Sequence, residues 1–392
     1  MMKCYFVCAV LVVLVGYWSL SLAESAGGDS RMNTEELELK QTIRRLTDEA
    51  SGLQKDDPAL RRLRWAMVQA WGKLAQLAAH NYDFDTADKE VKTLAQLVQD
   101  LAGSAEPKEK LTLHGILWNT EAIVSDEKGM YYLFERGDYV HGPDHFGRAV
   151  KMYEQTADAL SNLGGEEHIV QSTRGQALRA QGLQQFGLGR YDIQVADTYK
   201  AEKELKEATD YLKQASAGLA KDPDTPESSA FNWHYVESLA AYAHGFWFRA
   251  RADSSAYDGN YKQSSELLGE QIKAFDEAQQ PIYGLTDDVA KSMTSRIAQE
   301  KNLCEQRQKN ISSRTGRMSA PTLLFAVLAV VTFFLQLWLA TYFGWKPTII
   351  LYIFALVFAV IVGGVGTGLA TWGDATGFFE KIISLWMQKK ST

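Results

Sequence analysis

The stretch Gly137-Asp138-Tyr139-Val140-His141-Gly142-Pro143-Asp144-His145-Phe146-Gly147-Arg148-Ala149-Val150-Lys151-Met152-Tyr153 sets the architecture of this chain. A glycine-led turn carrying a tyrosine gives way, after Gly142-Pro143, to a segment in which Ala149, Tyr153 and Ala157 fall four residues apart. That spacing lines one face of a helix. The same order recurs along the chain. The turns read Asn81-Tyr82-Asp83, Gly137-Asp138-Tyr139, Gly189-Arg190-Tyr191-Asp192 and Ala256-Tyr257-Asp258-Gly259, with 57, 52 and 66 residues between successive tyrosines. Ala196, Tyr199 and Ala201 repeat the small-and-aromatic face after the third turn. A lone helical hairpin cannot bury its own apolar face, so a recurring hairpin signal implies a stack. The expectation is a tyrosine wedged where two helices meet, with small residues permitting close approach.

Working outward, the helical signal covers almost the whole middle of the chain. Asn33-Thr34-Glu35-Glu36 reads as a capping box opening a helix to about 54. Asp57-Pro58 places an N-cap before a proline at the first helical position, leading a helix to about 80. Within it Trp65, Val68, Trp71 or Gly72, Ala75 and Ala79 recur at helical spacing. Further helices are predicted over 85–102, 107–135, 143–163, 167–188, 193–220, 227–254, 261–280 and 286–315. Gly103/Pro107, 137–143, Gly164-Gly165, 187–189, Pro223/Pro226 and Gly259 serve as breakers between them. No hairpin turn with flanking alternation is present, so no sheet is expected.

The pattern over roughly 65–290 resembles a degenerate tetratricopeptide-type array. In that family Gly-x-Tyr lies between two helices, and Ala and Tyr sit on the second. Here the repeat is longer and less regular than the usual length of about 34 residues, and residues intervene between the tyrosine turn and the alanine that follows. The resemblance implies an all-α helical-hairpin array with a groove for a protein or peptide. It transfers no individual binding residue.

The two ends have a different composition. Residues 1–23 begin with Lys3, continue through an apolar run and finish at Ser21 and Ala23, a secretory signal pattern with cleavage before Glu24. Between Met318 and Gly373 the only charged side chain is Lys346. Two spans, 320–343 and 347–372, each exceed the roughly 20 apolar residues a bilayer requires. The short link 344–347 makes them a transmembrane hairpin over 319–373. Trp338, Tyr342, Trp345, Tyr352 and Trp372 stand near the expected interfaces. On the second span Ala355, Ala359, Gly363, Thr367 and Thr371 recur every four residues, widened by Gly364 and Gly368. Such a small-residue face admits close approach of another helix, from the same hairpin or from a second copy. The tail, 374–392, gathers Phe378, Phe379, Ile382, Ile383, Trp386 and Met387 on one face, as an interfacial helix does.

Charge is polarised along the chain. Residues 24–295 hold 44 acidic and 30 basic residues, whereas 296–317 holds 6 basic and 2 acidic within a juxtamembrane segment spanning 296–318. Arg307, Lys309, Arg314 and Arg317, with Lys381, Lys389 and Lys390 after the hairpin, are candidate contacts to anionic headgroups. The signal pattern places the helical domain outside the cytoplasm. The positive-inside rule opposes this, and favours a cytoplasmic domain behind an uncleaved N-terminal anchor. The net charge of −7 and the apolar C-terminal region exclude a basic nucleic-acid binder and a plain cytosolic globule. Cys304 would be the lone cysteine after cleavage, so no disulfide framework is expected; it reads as a small apolar residue on a helix face.

No catalytic template, phosphate-binding loop or dinucleotide fingerprint occurs, and no cofactor is expected. His141, Asp144 and His145 could supply three metal ligands within five residues; Gly142-Pro143 between them favours instead an ordinary first helical turn. Phe231, Trp233, Tyr235, Tyr242, Phe246, Trp247 and Phe248 crowd one helix with His234 and His244. Their spacing fits core packing better than a ligand groove. The expected function is therefore non-catalytic: a membrane-anchored scaffold that binds a partner protein, lipid and no nucleic acid. The competing expectation is a homo-oligomeric ring or channel assembled through the glycine face.

Overall fold

A computed structural model describes residues 28–54, 57–219, 233–315 and 338, with side chains given from residue 34 to residue 313 within these segments and at 338. The proposed signal peptide, the transmembrane hairpin with its small-residue stripe, Phe231, Arg317 and the tail lie outside the described residues. So does the side chain of Arg314. The chain divides into two units, 1–308 and 309–392. In the second the last helical turns to Thr315 are described, together with Trp338.

The fold is all-α, with no strand among the described residues. Ten α-helices follow one another among the described residues: α1 Gly28–Ser51, α2 Pro58–His80, α3 Phe84–Ala102, α4 Pro107–Met130, α5 His141–Asn162, α6 Glu167–Gln194, α7 Thr198–Leu219, α8 Trp233–Tyr257, α9 Tyr261–Gln279 and α10 Asp288–Thr315. A π-helical turn, Tyr131–Glu135, extends α4. From α1 to α9 each helix packs on the next, as short connections between antiparallel neighbours require. Among the described residues no helix is long and apolar enough to cross a membrane.

The sequence spacing explains these helices closely. Asp57 caps α2 by accepting from the Ala59 N–H, with Pro58 at its start. Ala149, Tyr153 and Ala157 are all buried along α5, as their spacing requires. Four inter-helix turns share one backbone design. Tyr82, Gly164, Ala196 and Gly259 adopt positive φ, of 61°, 74°, 63° and 77°. At each, the N–H of the following residue reaches back five positions to a carbonyl: Asp83 to Ala78, Gly165 to Leu160, Asp197 to Asp192 and Asn260 to Ser255. This is a left-handed helix stop. At three of them the next residue is also the N-cap of the following helix. Asp83, Asp197 and Asn260 accept from the N–H groups of Thr86, Lys200 and Gln263.

Two expectations are corrected. Residues 187–189 do not break a helix; α6 runs on to Gln194. Those glycines are sites of close helix approach. A Cβ at Gly187 would lie 2.7 Å from Pro143 Cγ of α5, and one at Gly189 would lie 2.6 Å from Leu205 Cγ of α7. The tyrosine wedge is not general either. Tyr82 packs on Tyr131, with ring centroids 5.0 Å apart, but Tyr257 is 92% exposed, and Tyr191 is 39% exposed and lies inside α6. The turns at Tyr82, Gly164, Ala196 and Gly259 share instead the backbone stop, with its Asp or Asn cap at three of them.

Candidate functional site

The helices that open successive hairpins, α2, α4, α6 and α8, converge on a common face, and α10 lies against it. Between them is a cavity of about 370 Å3. Its wall takes His80 and Tyr82 from the end of α2, Asp126, Glu127 and Met130 from α4, and Phe134 and Glu135 from the π-helical turn. Arg179 of α6 and Tyr235, Leu239 and Tyr242 of α8 continue it. The first turns of α10, from Asp288 to Ile297, close it.

The cavity's most buried polar feature is an ion pair. Asp126 and Arg179 are each 1% exposed, and Arg179 Nη2 donates to Asp126 Oδ2. Arg179 Nε donates to Gln176 Oε1 at 3.0 Å, and the Tyr153 hydroxyl donates to Asp126 Oδ2 at 3.4 Å. Burial lowers the pKa of the guanidinium to about 9. Burial also pushes the Tyr153 and Tyr242 phenols up. Asp126 Oδ1 is buried and has no hydrogen-bond partner among the described residues.

Around this pair the other charges are matched. Arg296 of α10 donates to the Phe134 carbonyl at 2.5 Å and to Glu135 Oε1 at 2.6 Å. His80 Nδ1 lies 3.5 Å from Glu127 Oε1; that hydrogen bond raises the imidazole pKa against the opposing effect of burial. The Tyr235 hydroxyl donates to Asp287, just before α10; burial, and then this contact, pushes the phenol up. Further along α10, Glu300 stands 3.5 Å from Arg190 and 3.9 Å from Arg249. Arg307 donates to Asp253 at 3.0 Å. Lys301 donates to Asp276. Arg190 is sandwiched over the Phe246 and Tyr139 rings at 3.9 and 4.9 Å.

The sequence-derived candidates are placed as follows. His141 Nδ1 lies 2.7 Å from Asp138 Oδ2, and His145 stacks on Tyr132 with centroids 5.2 Å apart. Burial, then Lys128 and Arg148, push the His145 pKa down. Among the described residues no group of three or more His, Cys, Asp or Glu side chains is placed to share a metal ion. In the aromatic cluster of α8, Tyr235, Tyr242 and Phe246 are buried, and Tyr235 and Tyr242 also face the cavity. Core and cavity wall are thus the same side chains. Cys304 is buried, its thiol near the Leu268 carbonyl and Gln271, and burial pushes its pKa up to about 12. Arg307 is engaged with Asp253, while Lys309 is exposed. Asp126, Arg179 and Glu127 escaped the sequence reading, since Asp126 and Arg179 stand 53 positions apart and belong to no motif. In comparison with known proteins, no family model matches this chain and no curated protein matches it.

Proposed function

We propose that this chain is a membrane-anchored helical-repeat scaffold of tetratricopeptide-like design that binds a partner protein, as a subunit of a membrane complex. One observation carries the reading: the face formed by α2, α4, α6 and α8 already holds an amphipathic helix, the chain's own α10. Ile297 of α10 is buried there and Cys304 is buried against α9, while Arg296, Lys301 and Arg307 meet carboxylates of the array. A surface that seats one helix by apolar anchors and flanking charge uses the mode by which helical grooves recognise partner helices. The charge-free sequence from 318 to 373, Lys346 apart, supplies the anchor of this reading.

The test is purification of the full chain from its native membranes in mild detergent, with mass measured by light scattering. The scaffold reading expects a distinct protein in fixed stoichiometry, released by charge reversal at array carboxylates such as Glu135 and Asp253. A particle made of this chain alone would sink it. The ring reading has its own observation, the four-residue stripe through Gly363, and expects Gly363→Leu with Gly364→Leu to shrink the particle. Protease protection with N-terminal sequencing determines sidedness and signal cleavage together.

A further inference from the structure

The turns that follow α2, α4, α6 and α8 lie at one end of the array, because successive helices run antiparallel. Neighbouring turns are tied together there. Tyr82 packs on Tyr131, Arg190 lies over the Tyr139 ring at 4.9 Å, and Arg251 of α8 stands 3.5 Å from Glu202 of α7. This end carries a set of exposed side chains: Tyr82, Val140, Tyr191, Val195, Tyr199 and Tyr257 are between 39% and 92% exposed. Among the described residues as far as 308, the other exposed large apolar or tyrosine side chains are Leu37, Tyr283 and Leu303, none of them at this end. Such gathering differs from the single, scattered apolar residues of an ordinary surface.

The chain leaves the array at the same end. α10 runs antiparallel to α9: Lys301 donates to Asp276, the Cys304 thiol lies near the Leu268 carbonyl and Gln271, and Gln308 Nε2 donates to the Ser265 carbonyl at 3.1 Å. Ser265 stands in the second turn of α9, just past the turn that carries Tyr257. The charge-free run begins ten residues after Gln308, at Met318. A tyrosine has an apolar ring and a hydroxyl that stays hydrated, and for that reason collects at the boundary between bilayer and water. We propose that this end of the array is a lipid-contact surface, its tyrosines and valines lying in the headgroup region of a bilayer. The lipid it fits is zwitterionic. Residues 81–85, 135–145, 190–200 and 257–262 hold eight Asp or Glu against four Lys or Arg, an excess that an anionic leaflet repels. The inference rests on the anchor of the proposed function and is independent of the partner protein. It adds a second lipid contact to that anchor and stands the array end-on, with Tyr283 at the far end.

The experiment uses the full chain reconstituted into phosphatidylcholine vesicles. The photo-crosslinker p-benzoylphenylalanine replaces Tyr199, Tyr257 or, as the control, Tyr283, which is 90% exposed at the far end. All three side chains are exposed, so each variant should keep the parent's circular dichroism. Mass spectrometry after irradiation counts phospholipid adducts. The expected yield at the Tyr199 and Tyr257 sites is at least fivefold that at the Tyr283 site, and it should fall at least twofold when phosphatidylserine replaces a third of the phosphatidylcholine. Resistance to carbonate extraction reads the anchor separately. A chain stripped by carbonate would refute the anchor, and this inference with it. A retained chain with equal lipid yields at the three sites, or with cross-links at Tyr199 and Tyr257 to a second copy in place of lipid, would overturn the inference alone. A yield undiminished by phosphatidylserine would overturn the zwitterionic assignment.

Discussion

Gly182→Ala puts the packing of the array to a direct test, because two effects of known sign oppose one another. Gly175, Gly182 and Gly189 recur every seven residues on α6 and face Leu219, Leu212 and Leu205 of α7, which recur every seven in the antiparallel sense. Glycine inside a helix is about 0.8–1 kcal/mol worse than alanine, so propensity alone makes the substitution stabilising. At this position the new Cβ would stand 2.6 Å from Leu212 Cγ, 3.0 Å from its Cδ2 and 3.2 Å from the Ala208 carbonyl oxygen. Carbon atoms prefer about 3.5–4.0 Å, so the leucine or the whole helix must move by about 1 Å. Overpacking of this kind costs about 1–3 kcal/mol, and the balance is a loss of about 1 kcal/mol. Gly115 in α4 supplies the contrast. Its Cβ would meet Ala159 Cβ at an ordinary 3.7 Å, so Gly115→Ala should gain up to about 1 kcal/mol. Urea unfolding followed at 222 nm measures both, and a double-mutant cycle with Leu212→Ala isolates the contact. Leu212→Ala should cost less in the Gly182→Ala background than in the parent. A stabilised Gly182→Ala variant, or a strictly additive cycle, would refute this account of α6 against α7.

Three further outcomes follow from single sites. Ala196 is exposed and held at φ 63°, so Ala196→Gly should raise stability by about 1 kcal/mol or less in thermal unfolding, the relief of left-handed strain exceeding the added unfolded-state entropy. Burial and a shared hydrogen bond with Asp192 raise the Glu204 pKa to about 7. The folded state therefore holds a proton that the unfolded state has released between about pH 4.5 and 7, and stability falls as pH rises through that window. Glu204→Gln should flatten this slope, so its Tm relative to the parent should be higher at pH 8 than at pH 5. Arg179→Met alone should cost about 3–5 kcal/mol by stranding the buried Asp126 carboxylate, whereas Arg179→Met with Asp126→Leu should recover most of that loss in urea unfolding.

Most of the helical layout was legible because its punctuation is local. Asp57-Pro58, Asp83, Gly164-Gly165 and Gly259 are short-range signals, and each marks a boundary in the structure. The error at 187–189 arises from the double use of glycine. Its lack of a Cβ permits a positive φ at Gly259 and permits contact with Leu205 at Gly189, and composition alone does not separate the two uses. The cavity was not legible for a different reason. α4 and α6 are packed on several sides, so buried residues such as Leu113, Ala122, Val124 and Gly129 follow no single stripe, and Asp126 among them gives no periodic signal. A polar residue on a helix without a solvent face was the available hint that such a group is buried and paired.

The basic segment 296–317 shows how a charge run has counterparts in the fold that composition does not display. Its six cations beside an apolar hairpin point to lipid headgroups, yet Arg296, Lys301 and Arg307 find carboxylates of the array, at Glu135, Asp276 and Asp253. These side chains are about 30–40% exposed, and pairs of that kind each contribute about 0–1 kcal/mol. They do not hold α10 by strength. Ala290, Ile297 and Cys304, buried at seven-residue intervals along α10, supply the apolar seam, while the charges on either side of it fix the helix's register and direction. The acidic excess of residues 24–295 therefore has a role in seating α10 as well as in solvation. Among the described residues, Lys309, the next cation of the run, is exposed.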